Sequence, residues 1–170
     1  MSEAAHQSLV VKGWIVLAHP LFIQQFVSLI EAVETIKAKD PIGYNKKNAT
    51  KRLAAVARLI FDLIPEDPMR IEYRQGHTLG RQNTHWFRAK FFQQYRLFFR
   101  FNSDARVIIY GWLNDQKTLR AYGQVDDAYR VFARMLDNGH PPTDWDELVK
   151  EAKKASGEFH KAWVKSHRLK

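Results

Sequence analysis

The chain contains no cysteine. Disulfides and thiolate metal sites are excluded, and the composition fits a reducing compartment, so a cytoplasmic protein is expected. No uninterrupted apolar run approaches the ~20 residues that a spanning helix needs. The first residues lack the apolar segment of an export signal, and no membrane partner is expected. No glycine-rich phosphate loop precedes a predicted helix and no serine elbow is present, which argues against nucleotide hydrolysis and serine-nucleophile chemistry. No pair of histidines, or of His and Asp, falls at ligand spacing on a helix face, so neither a metal site nor a cofactor is expected. The last absence is regional: from Tyr73 to Ser103 there is no Asp or Glu.

What that region holds is as telling. Its 31 residues carry six cations (Arg74, Arg81, Arg88, Lys90, Arg96 and Arg100), nine aromatics, and His77 and His85. They supply +6 of a formal net charge of +9 in a chain of 170 residues. The preceding 72 residues sum to +1, residues 104–149 to −3 and residues 150–170 to +5. A sequence pI near 9.8 favours anionic partners such as RNA, DNA or acidic protein. Surface charge is normally mixed in sign. A carboxylate-free run interleaved with aromatics is what a polyanion with stackable bases requires.

The local pattern predicts an α+β domain. Trp14–Ala18 reads as a strand, and His19-Pro20 starts a helix with Phe22, Phe26, Leu29, Val33 and Ile36 on one face. Asp40-Pro41 and Gly43 end it. A second helix is expected over 44–64, forming a helical hairpin with the first, and 65–83 reads as loop. Three short strands, Trp86–Phe92, Gln94–Asn102 and Arg106–Leu113, read as an antiparallel meander. A helix is expected from Asp126 to Asp137, with Gly139 as its C-cap. Thr143 with Asp146 resembles a capping box before a final basic helix ending near Ser166. The expected organisation is one domain over 1–148 and a basic helical extension over 149–170.

Strand parity sorts the meander. It puts Arg88, Lys90, Arg96 and Arg100 on one face, with Ile108, Tyr110 and Trp112 sharing a face of the third strand. One sheet face would pack the helices and the other would present the cations. Asn114, Lys117, Arg120 and Tyr122 follow near the sheet's end. His19 and His140, each before proline, read as helix-start and turn residues, and Trp112 as packing. His77 and His85 flank the basic strands, and the Lys47, Lys51 and Arg58 side of the second helix reads as a solvated face.

RNA offers a reaction needing neither metal nor protein nucleophile. Its 2′-hydroxyl attacks the adjacent phosphate if a base deprotonates it, an acid protonates the departing 5′-oxygen, and positive charge stabilises the phosphorane. Arginine and lysine supply the charge, a lysine among cations could act as base, and tyrosine or histidine as acid.

The motifs resemble a known family. Gly13-Trp14, Ala18-His19-Pro20, Lys39-Asp40-Pro41, Tyr95-Arg96-Leu97-Phe98-Phe99-Arg100 and Gly111-Trp112-Leu113-Asn114-Asp115 match the YhaV toxins. So do Thr118-Leu119-Arg120, Tyr122-Gly123, Asp127-Ala128-Tyr129 and Gly139-His140-Pro141-Pro142. The resemblance covers roughly residues 13–148. It implies a RelE-like fold: two N-terminal helices on a twisted antiparallel sheet, with C-terminal helices. It implies a ribonuclease toxin of a type II toxin–antitoxin pair that cuts mRNA without a metal, commonly on the ribosome. The implied partner is a PrlF-type antitoxin with an AbrB-like DNA-binding domain. By motif Arg88, Lys90, Arg96 and Tyr122 match the family's pattern, and with Arg120 they make the expected catalytic set; the basic face and its flanks add Lys117, Arg100, His85, Arg81 and Asn114 as expected substrate contacts. The last basic group is open between Lys117 and Arg120, and the general acid and base are unassigned. The rival readings are an RNA- or ribosome-binding module that blocks translation by occupancy, and a basic face that binds an acidic protein.

Overall fold

The computed structural model describes residues 8–115, 118 and 127–169. Five strands form one mixed sheet: β1 Leu9–Val11, β2 Trp14–Ala18, β3 Phe87–Phe91, β4 Tyr95–Asn102 and β5 Val107–Leu113, in the order β1-β2-β5-β4-β3. The meander β3-β4-β5 is antiparallel as expected. Strand β1 is an addition. It turns into β2 through Lys12 and Gly13, both at positive φ, as a two-residue hairpin of matching twist requires. Strand β2 pairs β5 in parallel, Ile15 opposite Val107 and Ala18 opposite Tyr110.

Helices cover both faces. On one side lie α1 (Pro20–Lys39), α2 (Asn48–Arg58) and the final helix α6 (Ser156–Arg168). Helix α1 starts as its sequence dictates: Pro20 occupies the first turn, and His19 Nδ1 accepts the Leu21 amide at 3.2 Å. The chain leaves α2 through a π-helical stretch, Leu59–Leu63, and the short α3 (Ile64–Glu66). Phe22, Phe26, Ile30, Val56, Ile60 and Phe159 meet Val16, Leu97, Phe99 and Tyr110 of the sheet in one core. Phe26 is fully buried and contacts both Phe61 and Phe159, so α6 closes this core. The basic C-terminal segment is thus two helices, α5 (Trp145–Lys154) and α6, and its apolar side is packed against the domain.

The opposite face carries a second core. Helices α4 (Ala128–Asp137) and α5 cover Leu17, Phe98, Ile109 and Trp112 with Phe132, Leu136, Leu148 and Ala152. An open cationic face does not form, because this cover occupies the middle of it. Helix α4 is capped by Asp127 and ends in a Schellman arrangement, with Gly139 N–H on Leu136 O and His140 N–H on Met135 O. Helix α5 is capped one residue later than Thr143: the Asp144 carboxylate accepts the Glu147 amide at 3.0 Å.

One bulge corrects the parity reading. Phe98 pairs Trp112 but Phe99 pairs Tyr110, leaving Gly111 as the extra residue. Tyr110 and Trp112 therefore fall into different cores, Trp112 stacking on Phe132 at 5.5 Å. Gly111 is required by packing. A Cβ there would lie 2.6 Å from the fully buried Trp86 ring.

Candidate active site

At the hairpin end of the cationic face β3 and the start of β4 lie side by side, with Lys90 exposed, Arg88 half-buried and Arg96 buried beneath α4. Register places Lys90 beside Arg96 and Arg88 beside Phe98, so the three cations point the same way. Like charges this close need a shared acceptor, and α4 provides it. The Tyr129 hydroxyl accepts Arg88 Nε at 2.8 Å and Arg96 Nε at 3.2 Å. Arg88 Nη1 also donates to the Glu72 carbonyl at 2.6 Å. Arg96 Nη1 donates to the carbonyls of Gln93 at 2.6 Å and Tyr95 at 2.9 Å.

Asn114 fixes the strand beneath. Its Oδ1 accepts the Arg96 amide at 2.6 Å, and its Nδ2 donates to the carbonyls of Gln94 and Thr118, both at 2.9 Å. Expected as a substrate contact, it is 2% exposed and commits its side chain to the strand.

Among the described residues, the side-chain acceptors of the two arginines are carbonyls and a phenol. Among the described residues no carboxylate forms an ion pair with Arg88, Lys90 or Arg96. Among the described residues the geometry of the guanidiniums is set without an ion pair, the condition for stabilising a developing oxyanion. Arg96 is 7% exposed, whereas Lys90 is exposed at the sheet edge.

The remaining expected residues divide. Arg100 lies under the cover, its guanidinium 5.7 Å from the Trp86 ring and 5.2 Å from the Trp145 ring, with Nη1 donating to the Thr143 carbonyl. Burial lowers its pKa to about 10, with Asp144 opposing. Four residues after Arg96 on the strand, it stands roughly 13 Å further along. His85 is half-buried next to it, Nε2 lying 3.2 Å from Thr143 Oγ1. Burial first, and then the charge of Arg100, hold His85 below the ordinary imidazole pKa. Arg81 is exposed on the 3₁₀ turn Arg81–Asn83 that precedes β3. Lys117, Arg120 and Tyr122 lie outside the described residues. Tyr129, which joins the two arginines, is not among the site residues expected from the sequence. Its signal was its place in Asp127-Ala128-Tyr129, one of the resemblance motifs.

With this geometry in hand, comparison with known proteins gives the family. A family model described as "Toxin with endonuclease activity, of toxin-antitoxin system" matches residues 16–153. The chain belongs to the YhaV toxin family. The Ribonuclease toxin YhaV of Escherichia coli strain K12 is 48% identical over 143 residues, which span 83% of this chain and 93% of that protein. Toxin YhaV of E. coli O157:H7 matches to the same extent. Toxin YhaV of E. coli O6:H1 is 46% identical over 147 residues, 85% of this chain and 96% of the relative. No solved structure matches the chain. Among the described residues no group of three or more His, Asp or Glu side chains comes together as a metal site, and no helix is long and apolar enough to cross a membrane. This YhaV family member thus places two arginines from its sheet on one hydroxyl from its C-terminal half.

Proposed function

We propose that this chain is the toxin of a toxin–antitoxin pair and a metal-independent endoribonuclease that cuts mRNA. The observation that carries the reading is the Arg88–Tyr129–Arg96 clamp, two oriented guanidiniums that pair with no carboxylate among the described residues. A phosphorane formed at this face meets fixed positive charge in place of water. The 2′-hydroxyl gives up its proton to a base as its oxygen bonds to phosphorus. The bond from phosphorus to the 5′-oxygen breaks, and that oxygen takes a proton from an acid. The products are a 2′,3′-cyclic phosphate and a 5′-hydroxyl. Arg88 and Arg96 stabilise charge, Lys90 serves as base or clamp, and Tyr122 as acid or orienter, with Lys117 or Arg120 as the further cation. Action on the ribosome, inhibition of translation and neutralisation by a PrlF-type antitoxin follow from the family resemblance.

The test incubates purified protein with 5′-labelled mRNA in EDTA, with and without ribosomes. Cleavage leaving a cyclic or 3′-phosphate end is the expected result, and cleavage seen only with ribosomes would make the ribosome part of the site. Intact RNA that is tightly bound in both arms would replace catalysis by occupancy.

A further inference from the structure

A second carboxylate-free run lies in the chain: Pro41 to Phe61 carries Lys46, Lys47, Lys51, Arg52 and Arg58 and no Asp or Glu. The fold brings it against the first. The Arg52 guanidinium sits 6.0 Å from the Tyr95 ring, where α2 passes the tip of the β3–β4 hairpin. That tip is aromatic. Phe91 stacks on Tyr95 at 5.3 Å with planes 22° apart, and Phe92 contacts Phe91 edge-on at 5.5 Å. Phe92 is 52% exposed and has φ +45, and Gln93 beside it has φ +63. Such a tip is ordinarily built from Gly or Asn, yet this one holds a large aromatic ring out to solvent.

Asn48, Lys51, Arg52, Phe92 and Tyr95 line a cleft of about 330 Å³ here, a size that accepts a small planar group. It adjoins a cleft of about 460 Å³ that Arg52 and Tyr95 share with Asn114, the residue holding the Arg96 amide. Asp115 is the carboxylate lining this second cleft, and its Oδ1 accepts the Thr118 hydroxyl at 3.0 Å.

We propose that the hairpin tip and the basic side of α2 form a stacking platform for an unpaired base of single-stranded RNA, with Phe92 as the stacking ring and Lys51 and Arg52 on the flanking phosphates. This rests on the RNA reading above and gives it a second contact at the hairpin tip, whose Tyr95 precedes Arg96 on β4 and so faces the other side of the sheet. The occupant is chosen by the pairing of features: an acidic peptide would use the cations but has no need of the exposed ring, whereas a base needs the ring and its phosphates need the cations.

The test measures binding of a fluorescent 2′-O-methyl RNA oligonucleotide, which lacks the attacking hydroxyl, against an abasic strand with the same number of phosphates. The wild-type protein is expected to prefer the base-bearing strand by about tenfold, within the range that single stacked bases show. Phe92→Ala should bring the preference close to one, and Phe92→Trp should keep it. Lys51→Ala should weaken both strands alike and reduce the salt dependence by about 0.7 in slope. Phe92 is exposed, so the alanine variant should keep the wild-type melting curve. An undiminished base preference in Phe92→Ala would overturn the proposal. So would loss of binding to the cognate antitoxin in Phe92→Ala with the preference intact, since the surface would then be a protein-docking site. Cleavage of unmodified RNA is scored separately. A wild-type protein that shows the preference but does not cut keeps the platform and removes the nuclease reading, and one that cuts without preference does the reverse.

Discussion

The shared hydroxyl makes Tyr129→Phe the sharpest perturbation of the clamp. The substitution keeps the ring, which packs edge-on against Phe98 at 5.5 Å, and removes the one atom that both Arg88 and Arg96 reach. A hydrogen bond to a charged group contributes roughly 1.5–3 kcal/mol. Both guanidiniums retain carbonyl partners, so the two losses do not add in full, and about 2 kcal/mol is expected. For a domain of this size that lowers Tm by roughly 4–8 °C. The effect on cleavage should be larger than the effect on binding. A guanidinium displaced by about 1 Å costs on the order of a hundredfold in rate, so kcat should fall 10- to 100-fold with KM nearly unchanged. Thermal melts with cleavage kinetics on labelled RNA read both quantities. A double-mutant cycle with Arg88→Ala isolates the coupling, expected at about 1 kcal/mol or more. Wild-type melting and wild-type kcat in Tyr129→Phe, with coupling below about 0.3 kcal/mol, would refute the clamp.

Three further outcomes are expected. Arg96→Lys keeps the charge but not the fork that reaches the carbonyls of Gln93 and Tyr95, so cleavage should drop on the order of a hundredfold while circular dichroism stays native; a near wild-type rate would remove Arg96 from the mechanism. Gly111→Ala drives a methyl into Trp86 at 2.6 and 2.8 Å and should cost about 2–3 kcal/mol in urea unfolding; an unchanged midpoint would contradict the tight bulge. His19 is 3% exposed, and burial holds its pKa below the ordinary imidazole value against the opposing pull of Glu151. Its contribution to stability is therefore full above about pH 6.5, the unfolded-state value, and is lost as pH falls toward the lower folded value. Urea unfolding from pH 8 to pH 5 should show that acid limb, and His19→Asn, which keeps a capping side chain, should flatten it; parallel curves would rule out His19 as its source.

The meander was legible because its strands are short, β-rich and separated by polar turns, and α1 because five apolar residues recur on one face. The cover over the cationic face was readable in principle. Val107–Leu113 is buried at every position, and an apolar strand without alternation signals cover on both faces. Parity failed at Trp112 because a single glycine resets the register, which local sequence does not announce. The parallel pairing of β2 with β5 and the return of α6 onto α1 are long-range facts that no window contains. The Arg88 and Arg96 pair followed from the strand pattern and motif. Tyr129 did not, because an aromatic on an amphipathic helix reads as core, and its ring is indeed core while its hydroxyl is not. Arg100 looked equivalent to Arg96 by alternation, and what separates them is long-range: Trp86, Trp145 and the Thr143 carbonyl around one, the Tyr129 hydroxyl on the other.

The clamp draws its parts from points far apart in the chain, with Arg88 and Tyr129 41 positions apart. The sheet that carries it joins β2 to β5 across some ninety intervening residues, and α6 seals its other side last. During synthesis the two arginines emerge well before the hydroxyl that orients them. The core beneath them stays open on the α1 side until Phe159 arrives. An unfinished chain that stops short of α4 therefore carries the cations without the hydroxyl that orients them.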